Sequence, residues 1–522
     1  MRLEKVPFAE TRSFSTFFLD YILQKDSLKP FYSRFPIPEN FKAQRDEKSS
    51  FPKPHRDLLV GALQRQYKDV KATDAVKKNI AALSSERTFT VTTGHQLNIF
   101  TGPLYFIYKI VTVINTCKQL QKAYPKDHFV PVYWLASEDH DFAEISYFHL
   151  YGKKYTWQTD QRGAVGKFNP KGLEGLLKEI PGDTKIFQQA YLQSNTLSDA
   201  VRYYVNELFG ANGLVVLDAD DRSLKNLFKT VILDDLFHHT TKQLVEKCSP
   251  ALEAQGHKTQ VHGREINLFY LDAEIRSRIE TAGDGFSVVD TALHFSKEQI
   301  EKMVQEEPEK FSPNVILRPL YQEMILPNLA YVGGPAEVVY WLQLKEVFEH
   351  YHVPFPMLMP RNFAMVIDGP TRRKVDKSGL QIKDLFEEQN FIFNHWILKN
   401  TSHDLTLGQS IHEVQAIFDE VKIKAEKIDK TLGPLVSAHT KEVVNRLEKI
   451  EKKFIRAEKR HHADKLRQIA SVKEALFPQG GLQERTDNFL NFYQRDPEFI
   501  QTLLRNFDPF DFQFNVLSYD EA

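Results

Sequence analysis

Five consecutive residues, Ser137-Glu138-Asp139-His140-Asp141, place three carboxylates and an imidazole directly after the apolar run 129–136. Charge at that density must be solvated, paired, or matched to a cation or cationic substrate. The group could hold an ammonium, sugar hydroxyls or a metal ion, although its spacing matches no zinc or iron motif. His140 or a neighbouring carboxylate could act as acid or base. The competing reading is an acidic loop that caps the next helix, a task Ser and Asp perform well. A second candidate is Gly94-His95-Gln96-Leu97-Asn98-Ile99-Phe100-Thr101-Gly102-Pro103. Glycines let backbone N–H groups approach an anion, and a following helix start favours negative charge. His95 could donate to a phosphate or carboxylate, or serve as acid or base. The segment is neither a Walker loop nor GxGxxG, so a glycine turn required only for packing competes with the anion site.

Three weaker candidates follow. Asp218, with Asp220 and Asp221, ends another apolar run and could hold ribose hydroxyls or cap a helix. Arg318, in Arg318-Pro319-Leu320-Tyr321-Gln322, offers a forked guanidinium for a carboxylate or phosphate, or for a structural ion pair. Gly333-Gly334-Pro335-Ala336-Glu337 repeats the glycine-then-proline helix start of Gly102-Pro103, and the two starts could face one another across a crevice. Cys117 and Cys248 read as buried thiols rather than nucleophiles. No Gly-x-Ser-x-Gly elbow occurs.

The elements that must position these residues alternate. Strands are expected at 88–92, 129–136, 213–217, 315–317 and 356–359, with a helix over 104–120 opened by Pro103. Continuous apolar strands alternating with helices imply a parallel sheet covered on both faces, with its ligand crevice at the carboxyl ends. The expected organisation is a mostly helical segment over 1–85 and an α/β core over 86–375 with insertions near 150–200 and 250–310. A helical domain over 376–480 and a tail over 481–522 returning to the core complete it. Ile411, Val414, Phe418, Val421, Ala425, Ile428, Leu432 and Leu435 follow heptad spacing, as do Val443, Leu447, Ile450, Phe454 and Ala457. Gly433-Pro434 interrupts the series, which favours an antiparallel helical hairpin.

Over the 522 residues, Lys plus Arg (68) nearly cancel Asp plus Glu (69), leaving a net charge of −1. That removes the global field expected of a nucleic-acid or anionic-membrane binder. No apolar run approaches the roughly 18 residues of a membrane span, and the first residues lack a signal-peptide core. Two cysteines cannot build a disulfide framework. A cytoplasmic protein is expected.

Four of these motifs, in this order, resemble one family. They are Thr93-Gly94-His95-Gln96 with Phe100 to Lys109, then Trp134 to Phe142, then Arg318 to Gln322 with Ala330 to Pro335, then Leu482-Gln483-Glu484-Arg485. The family is the cysteine ligase family of bacillithiol biosynthesis. The resemblance implies a Rossmann-like core with connecting-peptide insertions and a C-terminal coiled coil that makes a homodimer. It implies amide formation between L-cysteine and glucosaminyl malate. That chemistry requires an activated carboxyl, for which ATP or another nucleotide, with Mg2+, is the expectation, although the chain carries neither a Walker loop nor the lysine-serine loop of adenylating synthetases. Glu138, Asp139, His140 and Asp141 would then be catalytic. Substrate or nucleotide would meet Gly94, His95, Gln96, Asn98, Gly102, Tyr108, Lys109, Trp134, Ser137, Asp218, Arg318, Gln322, Gly333, Gly334 and Glu337. In particular, Arg318 would pair with the malyl carboxylates. Two other readings stay open: a nucleotide-dependent ligase or transferase acting on another amine, and an assembly protein built around its coiled coil.

Overall fold

Residues 1–519 are described by a computed structural model. Five parallel strands form the central sheet, in the order Met357–Pro360, Asn328–Gly333, Thr88–His95, His128–Leu135, Val215–Asp218. These strands are buried along almost their whole length, as a sheet covered on both faces requires. The chain steps outward from Thr88–His95 through the next two strands. It then returns to the other side of Thr88–His95 with Asn328–Gly333. The sheet order therefore reverses between those two strands, and such a switch point opens a crevice at their carboxyl ends.

The expected strand at 315–317 does not form. Asn314 accepts hydrogen bonds from the N–H groups of Ile316 and Leu317 (2.9 and 3.2 Å) and starts a helix, Leu317–Ile325. The strand comes from Asn328–Gly333 instead. A short apolar run fits a buried helix as well as a strand, and a local side-chain cap decided between them.

The segment near 250–310 supplies most of a five-stranded antiparallel sheet, ordered His294–Phe295, Gly285–Val288, Arg276–Ala282, Leu268–Leu271, Phe311–Pro313. A three-stranded sheet joins the two ends of the chain. Arg2–Pro7 pairs antiparallel with Gln513–Ser518, which runs parallel to Phe363–Ile367. Helices fill most of the first 85 residues, but Arg2–Pro7 departs from the helical reading because its partner lies some 510 residues away.

The motif Gln483-Glu484 is placed against Phe363–Ile367. Gln483 accepts from the Val366 N–H (2.8 Å) and donates to its carbonyl (3.0 Å), while Glu484 accepts from the Ala364 N–H (3.0 Å). Glu484 also meets Arg361 at 2.6 Å in a pair with almost no solvent access. These two side chains satisfy backbone groups of the strand that no neighbouring strand reaches.

The helical appendage is a hairpin of Gly408–Ile428 and Leu432–His461. The chain turns at 429–431, so Gly433-Pro434 lie in the first turn of the second helix, where proline's missing N–H has no partner to lose. A separate apolar cluster of Ile392, Trp396, Ile397, Leu405, Leu466 and Ile469 anchors the hairpin's base. Among the described residues, no helix is long and apolar enough to cross a membrane.

Candidate functional site

A cleft of about 810 Å³ opens at the carboxyl ends of the central strands, and the inserted antiparallel sheet forms its opposite wall through Leu268, Phe269, Arg276 and Arg278. Gly94, His95, Gln96, Lys109, Trp134, Glu138, Asp139, His140, Asp141, Arg318 and Glu337 all line it, so the strand-end motifs do converge.

The floor sits at the switch point. Lys109, buried in its helix Tyr105–Ala123, donates to the Gly94 carbonyl (2.9 Å) and meets Glu337 at 2.6 Å. Glu337 also accepts from the Tyr331 hydroxyl (2.6 Å) and the Gly334 N–H (2.8 Å). Burial alone would raise the Glu337 pKa, but the Lys109 charge and these donors hold it at about 2. The two glycine-proline helix starts thus face one another through an ion pair. His95 lies beside this pair, its ring against Tyr105 (5.3 Å) and Phe106 (5.5 Å). Burial, with the charges of Lys109 and Arg361, pushes its pKa down to about 3, and its sealed Nε2 has no hydrogen-bond partner. His95 is therefore a neutral imidazole.

Arg318 projects from the first turn of a helix, rather than from the strand end expected for it, into a cage of aromatic rings. Its guanidinium carbon lies 5.5 Å from the Tyr331 ring and 5.9 Å from those of Trp134 and Trp341. It donates to Gln322 (3.1 Å) and to the Tyr340 hydroxyl (3.4 Å). Among the described residues, no carboxylate lies within ion-pair distance of it. The structural ion pair weighed for this arginine is absent, and a planar cation faces the cleft with donor capacity to spare.

The acidic loop divides its labour. Glu138 pairs with Lys225, which is sealed from solvent, donates also to the Phe311 carbonyl (2.7 Å), and lies over the Tyr321 ring. Asp141 accepts from the Glu144 N–H (3.3 Å) and caps the short helix Phe142–Ile145. Asp139 accepts from Gln96 (2.8 Å) and from the N–H of His140 (2.7 Å). Burial would raise Asp139, but the Gln96 hydrogen bond, the Arg276 charge and the backbone donors outweigh it and leave the carboxyl below its ordinary range. Glu138 and Asp141 accordingly do not join Asp139 around a cation. Among the described residues, no group of three or more His, Cys, Asp or Glu is placed to hold a metal ion.

The remaining expected site residues lie behind the cleft. Ser137 and Asp218 are hydrogen-bonded to each other (2.5 Å) below the loop, and Gln322 supports Arg318 from behind. Tyr108 is buried against Phe507, and Gly333 and Gly334 act through backbone alone. Asn98 ties down the turn by donating to the Glu144 carbonyl (3.2 Å). Gly102 is held at φ +59°, where a Cβ would stand 2.5 Å from Asn98. Gly94 to Gln96 of the anion cradle expected at 94–103 face the cleft, but its later part is occupied by the returning tail. Leu104 N–H donates to the Asp487 carbonyl (2.8 Å), and Asn488 donates to the carbonyls of Phe100 (2.7 Å) and Gly102 (2.6 Å). Lys225, Arg276 and Tyr340 belong to the site but carried no sequence signal. Each lies outside the dense motifs and reaches the cleft by tertiary packing.

A doubly wound core with its crevice at the switch point, closed by an inserted antiparallel sheet and bearing a helical hairpin, defines a Rossmann-like ligand-binding protein with a coiled-coil appendage. The N-terminal Rossmann-like domain of the bacillithiol biosynthesis BshC family matches residues 1–362, and that family's C-terminal coiled-coil domain matches 364–519. The chain belongs to this family. It is 40% identical over 517 residues to a Flavobacterium johnsoniae protein, covering 97% of each chain. It is 38% identical over 518 residues to one from Cytophaga hutchinsonii (99% of each), and 29% identical over 518 residues to one from Salinibacter ruber (94% of each). All three relatives bear the name "Putative cysteine ligase BshC".

Proposed function

We propose that this protein joins the carboxyl group of L-cysteine to the amine of glucosaminyl malate, forming the amide that completes bacillithiol. Membership of the family supports the ligase class, and Arg318 is the observation that supports this acceptor. A forked cation without a carboxylate partner, held by three aromatic faces at the cleft floor, is complementary to a dicarboxylate such as a malyl group. Asp139 is the carboxylate of the acidic loop that neither a buried lysine nor a helix cap occupies, and it receives the proton released by the attacking amine. Forming an amide from a free carboxylate requires activation, for which a nucleoside triphosphate is the proposed source. No residue here is assigned to it. The exposed apolar stripe of the hairpin is proposed to pair with a second copy of the chain.

Incubation of the purified protein with cysteine and glucosaminyl malate, with and without ATP and Mg2+, followed by mass analysis of thiols, tests the proposal. Bacillithiol appearing only with ATP is expected. Absence of product from glucosaminyl malate in every arm, while a parallel incubation with glucosamine lacking the malyl group yields a cysteinyl amide, would overturn the acceptor.

A further inference from the structure

Arg276 crosses the cleft from the inserted sheet. Its side chain is nearly closed off from solvent, and its guanidinium lies 4.1 Å over the Phe269 ring. Nη1 stands 2.6 Å from Nδ1 of His140 and 3.8 Å from Oδ1 of Asp139. A guanidinium carries only donors, so Nδ1 of His140 has to accept. A proton on that nitrogen would be driven into the guanidinium. The nearest carboxylate oxygen, Asp139 Oδ1, is 3.7 Å from Nδ1, beyond hydrogen-bond reach, and accepts from the backbone N–H groups of His140 and Asp141 instead. The ring's single proton therefore resides on Nε2, and the ring itself lines the cleft.

We infer that Arg276 is a positioning residue that fixes His140 as the neutral, Nε2-protonated tautomer, so that His140 serves the substrate as a hydrogen-bond donor to a carbonyl or carboxylate oxygen and not as the proton acceptor. This rests on the cleft being the substrate site proposed above. Burial and the Arg276 charge hold the His140 pKa below the ordinary histidine value, against Asp139 and Asp141, the carboxylates that face it. A donor that stays neutral as the pH falls is suited to polarising an acyl oxygen, because it gives up no proton to solvent. Arg276 was absent from the sequence motifs because its strand is separated from His140 by 136 residues and meets it only across the cleft.

Long-range 1H–15N correlation on the full-length protein with 15N-labelled histidine tests the inference. The His140 signals are identified by their loss in His140→Gln. At pH 7.5 His140 is expected to show protonated Nε2 and unprotonated Nδ1, and to titrate below the ordinary histidine value of about 6.5. Arg276→Met should raise that midpoint and mix the tautomers, whereas Arg276→Lys should retain the unmodified behaviour. An Nδ1-protonated His140 in the unmodified protein, or a midpoint unmoved in Arg276→Met, would overturn it. Where Arg276→Met does not fold, the tautomer in the unmodified protein decides. An Nε2-protonated His140 in a protein that forms no thiol product would uphold the tautomer and reject the ligase reading, so the two are separable.

Discussion

Lys225 is sealed from solvent and its ammonium meets the Glu138 carboxylate, so Glu138→Gln leaves a buried cation without its partner. Breaking a buried pair from one side costs about 3 kcal/mol or more. The variant should unfold at a lower urea midpoint as well as lose thiol formation. Asp139→Asn removes a carboxylate held by Gln96 and backbone donors, with the nearly buried Arg276 charge only at 3.8 Å. It should lower thiol formation by ~100-fold, the scale of a lost acid–base group, while lowering the urea midpoint clearly less than Glu138→Gln does. Equal stability loss in both variants would contradict the division of labour within the loop. His95 gives a separate test. It binds its proton near pH 6.5 in the unfolded chain and only near pH 3 in the fold. As the pH falls, the unfolded chain takes up the proton first, so this stabilisation is complete above about 6.5 and declines toward pH 3. The loss is at most about 1.4 kcal/mol per pH unit. Urea midpoints between pH 6.5 and 4.5 should fall less steeply in His95→Gln than in the unmodified protein.

The hairpin presents its own problem of burial. Gly408–Ile428 has no buried residue at all, and Ile417, Val421, Ile428, Leu435, Ile450 and Phe454 are all exposed on the two helices. A single hairpin cannot cover both apolar seams, and the same hairpin in a second copy is the simplest symmetric cover. Light scattering at micromolar concentration should give a dimeric mass. Val421→Glu with Leu447→Glu should shift it toward the monomer, because burying unpaired carboxylates costs several kcal/mol. A monomeric unmodified protein would reject the dimer, and an unchanged dimer in the double variant would move its interface off the hairpin.

At the scale of the molecule, the tail is bound into the core by the strand Gln513–Ser518, by Gln483 and Asn488, and by a buried ion pair, Arg361 with Glu484. Glu484→Gln should lower stability by about 3–5 kcal/mol, and limited proteolysis should then release the region beyond 482 before the core is cut. Release in step with the core would show that the strand Gln513–Ser518 and the contacts of Gln483 and Asn488 hold the tail without the ion pair. Much of this architecture was legible in the chain. Continuous apolar runs ending in polar clusters identify the parallel strands Thr88–His95, His128–Leu135 and Val215–Asp218, and heptad spacing identifies the hairpin, because each pattern reports burial along a single element. Of the expected site residues that share the cleft, Gly94, His95, Gln96, Trp134 and the acidic loop do so for the same reason, because a strand end is a fixed place in this fold, whereas Lys109, Arg318 and Glu337 reach it from helices. Apart from the facing of the two glycine-proline helix starts and the return of the tail, contacts between distant segments were not legible. Local pattern could not show that Arg2–Pro7 pairs with the far end of the chain, that Asn488 fills the turn before the helix of Lys109, or that Lys225 neutralises Glu138. Which acidic residue is free to act, and which nitrogen of His140 carries a proton, was decided by partners that only the tertiary structure brings within hydrogen-bond range.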